Sequence, residues 1–274
     1  NGTFGERYAA VGESNGKNVE KLEVEYGKPI TPELLDQKLS SCPNVEAVAM
    51  IHNETSTGLL NPLPELAKVT KEHEKLLFVD AVSSMGGVEI KVDEWKIDVC
   101  FTSSQKCLGI PPGLAIGSVS EEALKKSERI KNKGWYFDFK LYEKFLKGWR
   151  THMTPPIPLI FALNKALDIF KEEGKLKHFK LYLERSKRVR DGVKKLGVSL
   201  YPKKGYESPT VTCMNPPERL SIDEVYQKMR EKGFELAKGY GEKLKDITWR
   251  IGNMGYIQLE DIDAMLQALG EILK

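Results

Sequence analysis

Apolar residues follow two rhythms along the first half of the chain. Short unbroken runs at EAVAMI (46–51), LLFVD (76–80), DVCFTS (98–103) and LAIGSV (114–119) read as buried strands. Between the first two, LPELAKVTKEHEK (63–75) carries Leu63, Leu66 and Val69 at helical spacing. Such runs separated by helices predict a parallel sheet covered on both faces. The second half changes character. PLIFALNKALDIFKEEG (158–174) predicts a long amphipathic helix stopped by Gly174, and KLKHFKLYLERSKRVRDGVKKLG (175–197) a second with a basic outer side. Short strands at VSLY, TVTCM and ITWRIG follow, with helices near 222–232 and 259–273, as in a smaller α+β unit. The expected organisation is α/β: a large unit over 1–157, then a bridging helix and small unit over 158–274. The opening NGTFGER reads as a turn-like stretch.

Composition narrows the classes. With 274 residues and 41% hydrophobic, the chain can bury a sizeable core. Lys+Arg 42 against Asp+Glu 39 leaves a net charge of +3, which gives no reason to expect a nucleic-acid partner. Cysteines at 42, 100, 107 and 213 show no paired spacing, and Cys100 and Cys107 sit in apolar runs. That usage suggests a reducing, cytoplasmic setting. No run approaches the roughly 18 apolar residues of a membrane-crossing helix, and no signal-peptide pattern leads the chain. A start on Asn1 rather than Met is compatible with an internal point of a longer protein.

One lysine changes the picture. Lys106 lies in FTSSQKCLGIPPGLAIGS (101–118), among Phe101, Leu108, Ile110, Leu114 and Ile116, and a lysine is rarely buried without a partner or a task. Three polar stretches follow predicted strands: HNETSTG (52–58), DAVSS (80–84) and SSQK (103–106). Ligands of open α/β sheets bind beyond the carboxyl ends of the strands. If the strands are parallel neighbours, Thr55, Asp80 and Lys106 share one crevice. A hydroxyl, a carboxylate and an amine together suit pyridoxal phosphate: burial favours the neutral, Schiff-base-forming amine, and a carboxylate keeps the pyridine nitrogen protonated. Two simpler readings stand beside this one. A strand-end Asp also caps helices and turns, and a lysine after a strand also snorkels to the surface. The dinucleotide motif G-x-G-x-x-G and the P-loop motif are both missing.

LLFVDAVSSMGG followed by DVCFTSSQKCLGIPPGLA resembles the class V aminotransferases, fold-type I pyridoxal phosphate enzymes, and within them the alanine–glyoxylate and serine–pyruvate group. HNETSTG, THMTPPIPLIFAL and WRIG match further stretches in the expected order, so the resemblance covers the whole chain. It implies a mostly parallel central sheet with a smaller C-terminal domain, a homodimer, and ping-pong amino transfer from a small amino acid to a small 2-oxo acid. It implies Lys106 as Schiff-base lysine and proton shuttle, and Asp80 as pyridinium partner. Val82 and Phe4 would flank the ring, Thr55 would meet its hydroxyl, and Gln105 and Thr154 the phosphate. Arg250 would hold the substrate carboxylate by a bidentate pair. No metal ligands are implied.

Two departures from the family pattern stand out. The resemblance implies a segment ahead of Asn1 that carries a phosphate-cradling helix start, without which cofactor affinity should be poor. Thr151 stands where some relatives place a Tyr that reaches the neighbouring subunit. Two alternatives accompany this reading: a cysteine-desulfurase-like enzyme, which in the resembling relatives has His where this chain has Gln105, or a non-catalytic piece that only binds a partner.

Overall fold

The computed structural model describes residues 1–131 and 133–274. The chain opens not with a turn but with a helix, α1 (Thr3–Ser14). Next comes α2 (Pro32–Ser41), which has ordinary start signals: Thr31 accepts the Leu34 N–H, and a proline stands in the first turn.

The large sheet is built from β1 (Ala47–Ile51), β4 (Leu76–Asp80), β5 (Val99–Ser103) and β6 (Ala115–Val119), in that spatial order. A small hairpin of β2 (Asn53–Glu54) and β3 (Leu59–Leu60) leads into α3 (Leu63–Glu72), the helical crossover between β1 and β4. β1 pairs with β4, and β4 with β5, in parallel. β6 runs antiparallel to β5, where the run of apolar strands suggested a parallel neighbour, and the sheet is mostly parallel, as the resemblance implies. The reason is its connection. Residues 104–114 contain Pro111, Pro112 and Gly113 and form no helix, and a parallel return needs a long crossover. β6 is also more open than its apolar sequence suggests, with Ala115, Gly117 and Ser118 exposed. Leu63 and Ala67 of α3 pack with Leu77, Val79 and Cys100 to form the core of this sheet.

After α4 (Glu121–Glu128) and α5 (Phe139–Leu146), the long helices follow as α6 (Ile157–Glu173) and α7 (Lys175–Lys195). The second sheet is antiparallel, in the order β7 (Val211–Met214), β9 (Trp249–Gly252), β8 (Ala237–Lys238). VSLY contributes only an isolated bridge, Leu200 to Met214. Helices α8 (Ile222–Glu231) and α9 (Leu259–Leu273) cover this sheet, and Val189, Trp249, Met265 and Leu269 belong to a second, separate core. Among the described residues, no helix is long and apolar enough to cross a membrane.

Candidate active site

Parallel pairing lines up the ends of the strands. Ile51 stands opposite Asp80, and Asp80 opposite Phe101. His52 N–H donates to the Asp80 carbonyl at 2.9 Å, and Ala81 N–H to the Phe101 carbonyl at 2.9 Å. The three polar loops therefore leave the sheet at one edge, as their spacing suggests.

Asp80 is partly buried there, and its Oδ1 accepts the Val82 N–H at 2.9 Å. Burial is the main reason its carboxyl is pushed up to about 6; the Glu54 charge adds to this, while the Val82 N–H and Lys106 oppose it. Lys106 is half-buried, and burial followed by the nearby Arg250 guanidinium lowers the proton affinity of its amine. Both groups are thus drawn toward their neutral forms. Thr55 is buried, and its hydroxyl donates to Ser83 Oγ in the loop after β4.

Arg250 lies on β9, yet its guanidinium is directed at the loop after β1. Nη1 donates to the Thr55 carbonyl at 3.2 Å, while Nε and Nη2 donate to the Lys238 carbonyl at 3.2 and 2.9 Å. A guanidinium has five N–H groups. These bonds leave one on each terminal nitrogen, the pair that receives a carboxylate in a bidentate contact.

The second sheet is fastened to the same loops. Thr210 Oγ1 donates to the Ser83 carbonyl at 2.6 Å, and Ser208 N–H to the Gly58 carbonyl at 2.8 Å. Gly58 has φ +66°, and a Cβ there would lie 2.6 Å from the Cys213 Cβ, so this turn requires glycine. On the far side, the Tyr182 hydroxyl of α7 donates to the Cys107 carbonyl, beside Lys106, and accepts the Gly255 N–H, each at 3.1 Å.

The other expected positions divide. Val82 stands two residues beyond Asp80, in the same loop after β4, and its N–H is the one held by the Asp80 carboxylate. Phe4 begins α1, where its ring stacks on Tyr240 at 5.0 Å and 2°. Gln105 is exposed beside Lys106, and Thr154 is exposed on the segment before α6. Tyr240, missed from sequence, joins Phe4 to Arg250, whose Cζ lies 5.8 Å from the Tyr240 ring centre. It stands in a Gly-Tyr-Gly turn, and a Cβ on Gly239 would meet the Leu244 carbonyl oxygen at 1.9 Å. That flanking pair was the only sequence signal for a tightly held aromatic.

Residues 7–263 match the Aminotransferase class-V family. The chain belongs to the class V aminotransferase family. It is 36% identical to an uncharacterized aminotransferase of Methanocaldococcus jannaschii, over all of this chain and 71% of that protein. It is 31% identical to the (S)-ureidoglycine–glyoxylate transaminase of Bacillus subtilis, over 99% of this chain and 70% of the relative. The structure matches that of an alanine–glyoxylate aminotransferase from Nostoc sp. with a TM-score of 0.93 and 31% identity, covering all of this chain and 73% of the other. This class V aminotransferase therefore has the fold-type I architecture expected from its sequence, and its family depends on pyridoxal phosphate.

Proposed function

We propose that this aminotransferase moves an amino group between a small amino acid of the serine or alanine kind and a small 2-oxo acid, glyoxylate or pyruvate. The observation that carries the reading is the meeting of Lys106, Asp80 and Arg250 at one edge of the sheet, where burial weakens the charged forms of the amine and the carboxyl. This donor set fits pyridoxal phosphate chemically: a half-buried amine, a half-buried carboxylate and a guanidinium with two paired N–H groups to spare. The small acceptor is favoured by relatives whose names specify glyoxylate.

When bound, the cofactor supplies a protonated ring that accepts electron density from the substrate's α-carbon. Lys106 Nζ would hold the cofactor's aldehyde carbon, and once released would move a proton at the substrate's α-carbon; its lowered proton affinity suits a base working near neutrality. Asp80 would hold the proton at the ring nitrogen. Val82 and Phe4 would lie on the two ring faces, Thr55 would meet the ring hydroxyl, and Gln105 the phosphate. Arg250 would orient the substrate through its α-carboxylate.

A homodimer belongs to this proposal. Between 135 and 161 the chain exposes Trp135, Phe137, Leu146, Trp149 and Phe161, with Trp149 97% exposed. A second copy covering this face would explain so much exposed apolar surface, and would bring the exposed Thr154 toward a neighbouring cofactor phosphate. The division into 1–157 and 158–274 is supported by two separate cores, and a cytoplasmic location by four free cysteines. Desulfuration is disfavoured: burial pushes the thiols of Cys100, Cys107 and Cys213 up to about 12, away from a nucleophilic thiolate.

Borohydride reduction in the presence of pyridoxal phosphate, followed by peptide mass analysis, tests the central assignment. The added mass should fall on Lys106. Modification of another lysine with Lys106 untouched overturns it. A donor–acceptor panel then tests the substrates, with serine or alanine and glyoxylate or pyruvate expected to give the highest kcat/KM.

A further inference from the structure

Glu54 has no exposed area, yet among the described residues its carboxylate makes no ion pair. Burying a charge in this way is costly unless hydrogen bonds replace the lost water. Four donors do so. Oε1 accepts from Phe4 N–H at 3.3 Å, from Ser56 N–H at 3.1 Å and from Ser56 Oγ at 2.5 Å, and Oε2 accepts from Gly5 N–H at 2.9 Å. Ser56 Oγ in turn accepts Thr3 N–H at 2.9 Å. The first three N–H groups of α1 are thus bonded by residues 49 to 53 positions away, because the helix's own cap, Gly2, has no side chain to offer. Space has been kept for this contact: a Cβ on Gly2 would lie 2.3 Å from Glu54 Cδ. The carboxylate also faces the positive end of the helix dipole.

We propose that Glu54 is a positioning residue for amino transfer: its carboxylate ties the start of α1 to the loop after β1, and so fixes Phe4 in register with Thr55. This rests on the reading of Phe4 and Thr55 as cofactor contacts. Glu54 takes the N–H of the first and is the chain neighbour of the second, so a displacement at Glu54 moves both.

Its charge has a separate effect. Asp80 is faced by Glu54, by Lys106, and by the neutral Tyr8 and Cys100. Glu54 opposes ionisation of Asp80 and Lys106 favours it. Removing the Glu54 charge therefore lets Asp80 stay ionised to lower pH.

The test is titration of the cofactor-free protein with pyridoxal phosphate between pH 5 and 8, followed by tryptophan fluorescence, with circular dichroism and melting checked for each variant. Glu54→Gln turns an amide N–H toward the Gly5 N–H, and at pH 8 its Kd should rise about tenfold or more. Its loss of affinity on acidification should begin at lower pH than in the wild type. Glu54→Asp keeps the charge but shortens the reach; its Kd should also rise, with the pH dependence unmoved. Ser56→Ala, a milder change to the same cap, should raise Kd about threefold and keeps the test open if Glu54→Gln does not fold. Wild-type Kd in all folded variants, or lower melting temperatures with unchanged Kd and pH dependence, overturns the proposal. Absence of any borohydride-trapped cofactor on Lys106 of the wild type at saturating pyridoxal phosphate would instead overturn the functional reading on which it rests.

Discussion

Replacing Asp80 with Asn should make the cofactor-free protein more stable while removing most of its activity. The interval from the ordinary carboxyl value of 3.8 to about 6 measures how strongly the folded chain disfavours the ionised form. It corresponds to a cost of about 3 kcal/mol at neutral pH, to order of magnitude. Asparagine removes that charge and keeps an oxygen to accept the Val82 N–H. For a chain of this size each kcal/mol moves Tm by about 2 °C, so a rise of about 6 °C is expected. The sign follows from proton binding. The folded state binds the Asp80 proton more tightly than the unfolded state, so wild-type stability falls as pH rises from 3.8 through about 6. The advantage of the Asn variant should therefore be full above about pH 7 and vanish near pH 4. Thermal melts of both proteins without cofactor, from pH 4 to 8, measure it. With pyridoxal phosphate added, the order should narrow or reverse, because an amide cannot hold a protonated ring nitrogen. A variant that melts below the wild type at pH 7.5, or a difference that does not change with pH, refutes the argument that burial strains this carboxylate.

Lys106→Ala should keep the fold and lose transamination, with no borohydride-trapped cofactor; retained turnover would exclude Lys106 as the reacting amine. Arg250→Lys keeps a charge but loses the planar fork, so KM for amino acid and oxo acid should both rise, by roughly 2–3 kcal/mol in kcat/KM. Cofactor absorbance should stay as in the wild type, and an unchanged KM would place the carboxylate contact elsewhere. Gly58→Ala combines a positive φ with a close approach to Cys213, so its denaturation midpoint should drop by an amount equivalent to about 2 kcal/mol or more. A drop too small to measure would mean that the turn can relax.

Much of the fold could be read from the sequence because its signals are local. LLFVD is β4 residue for residue, and the runs at 46–51 and 98–103 each hold a strand that starts one residue later and ends where expected. The two long helices fall within two residues of their expected ends. The failures share a different origin. NGTFGER looked like a turn because its glycines are poor helix formers, and the groups that cap the helix, Glu54 and Ser56, lie far along the chain. LAIGSV looked fully buried because apolarity does not distinguish a central strand from an edge strand. In the site, Lys106, Asp80 and Thr55 could be grouped because parallel strands put successive loops on one edge. Arg250 needed the resemblance, since no local pattern tells which way a second sheet folds. Tyr240 and Glu54 escaped both, as their roles arise only from contacts across long stretches of sequence.

The seam between the two cores passes through the proposed site. Arg250 bonds the Thr55 carbonyl and Thr210 the Ser83 carbonyl, each in one of the three loops, and Tyr182 bonds the Cys107 carbonyl, the residue after Lys106. Bonds that weld the halves together are thus the same bonds that would aim the proposed chemistry. Calorimetry should accordingly record a single endotherm rather than two, because neither half can melt without exposing the other's contacts. Heat inactivation and global unfolding should coincide, since the catalytic groups have no softer joint at which to come apart first.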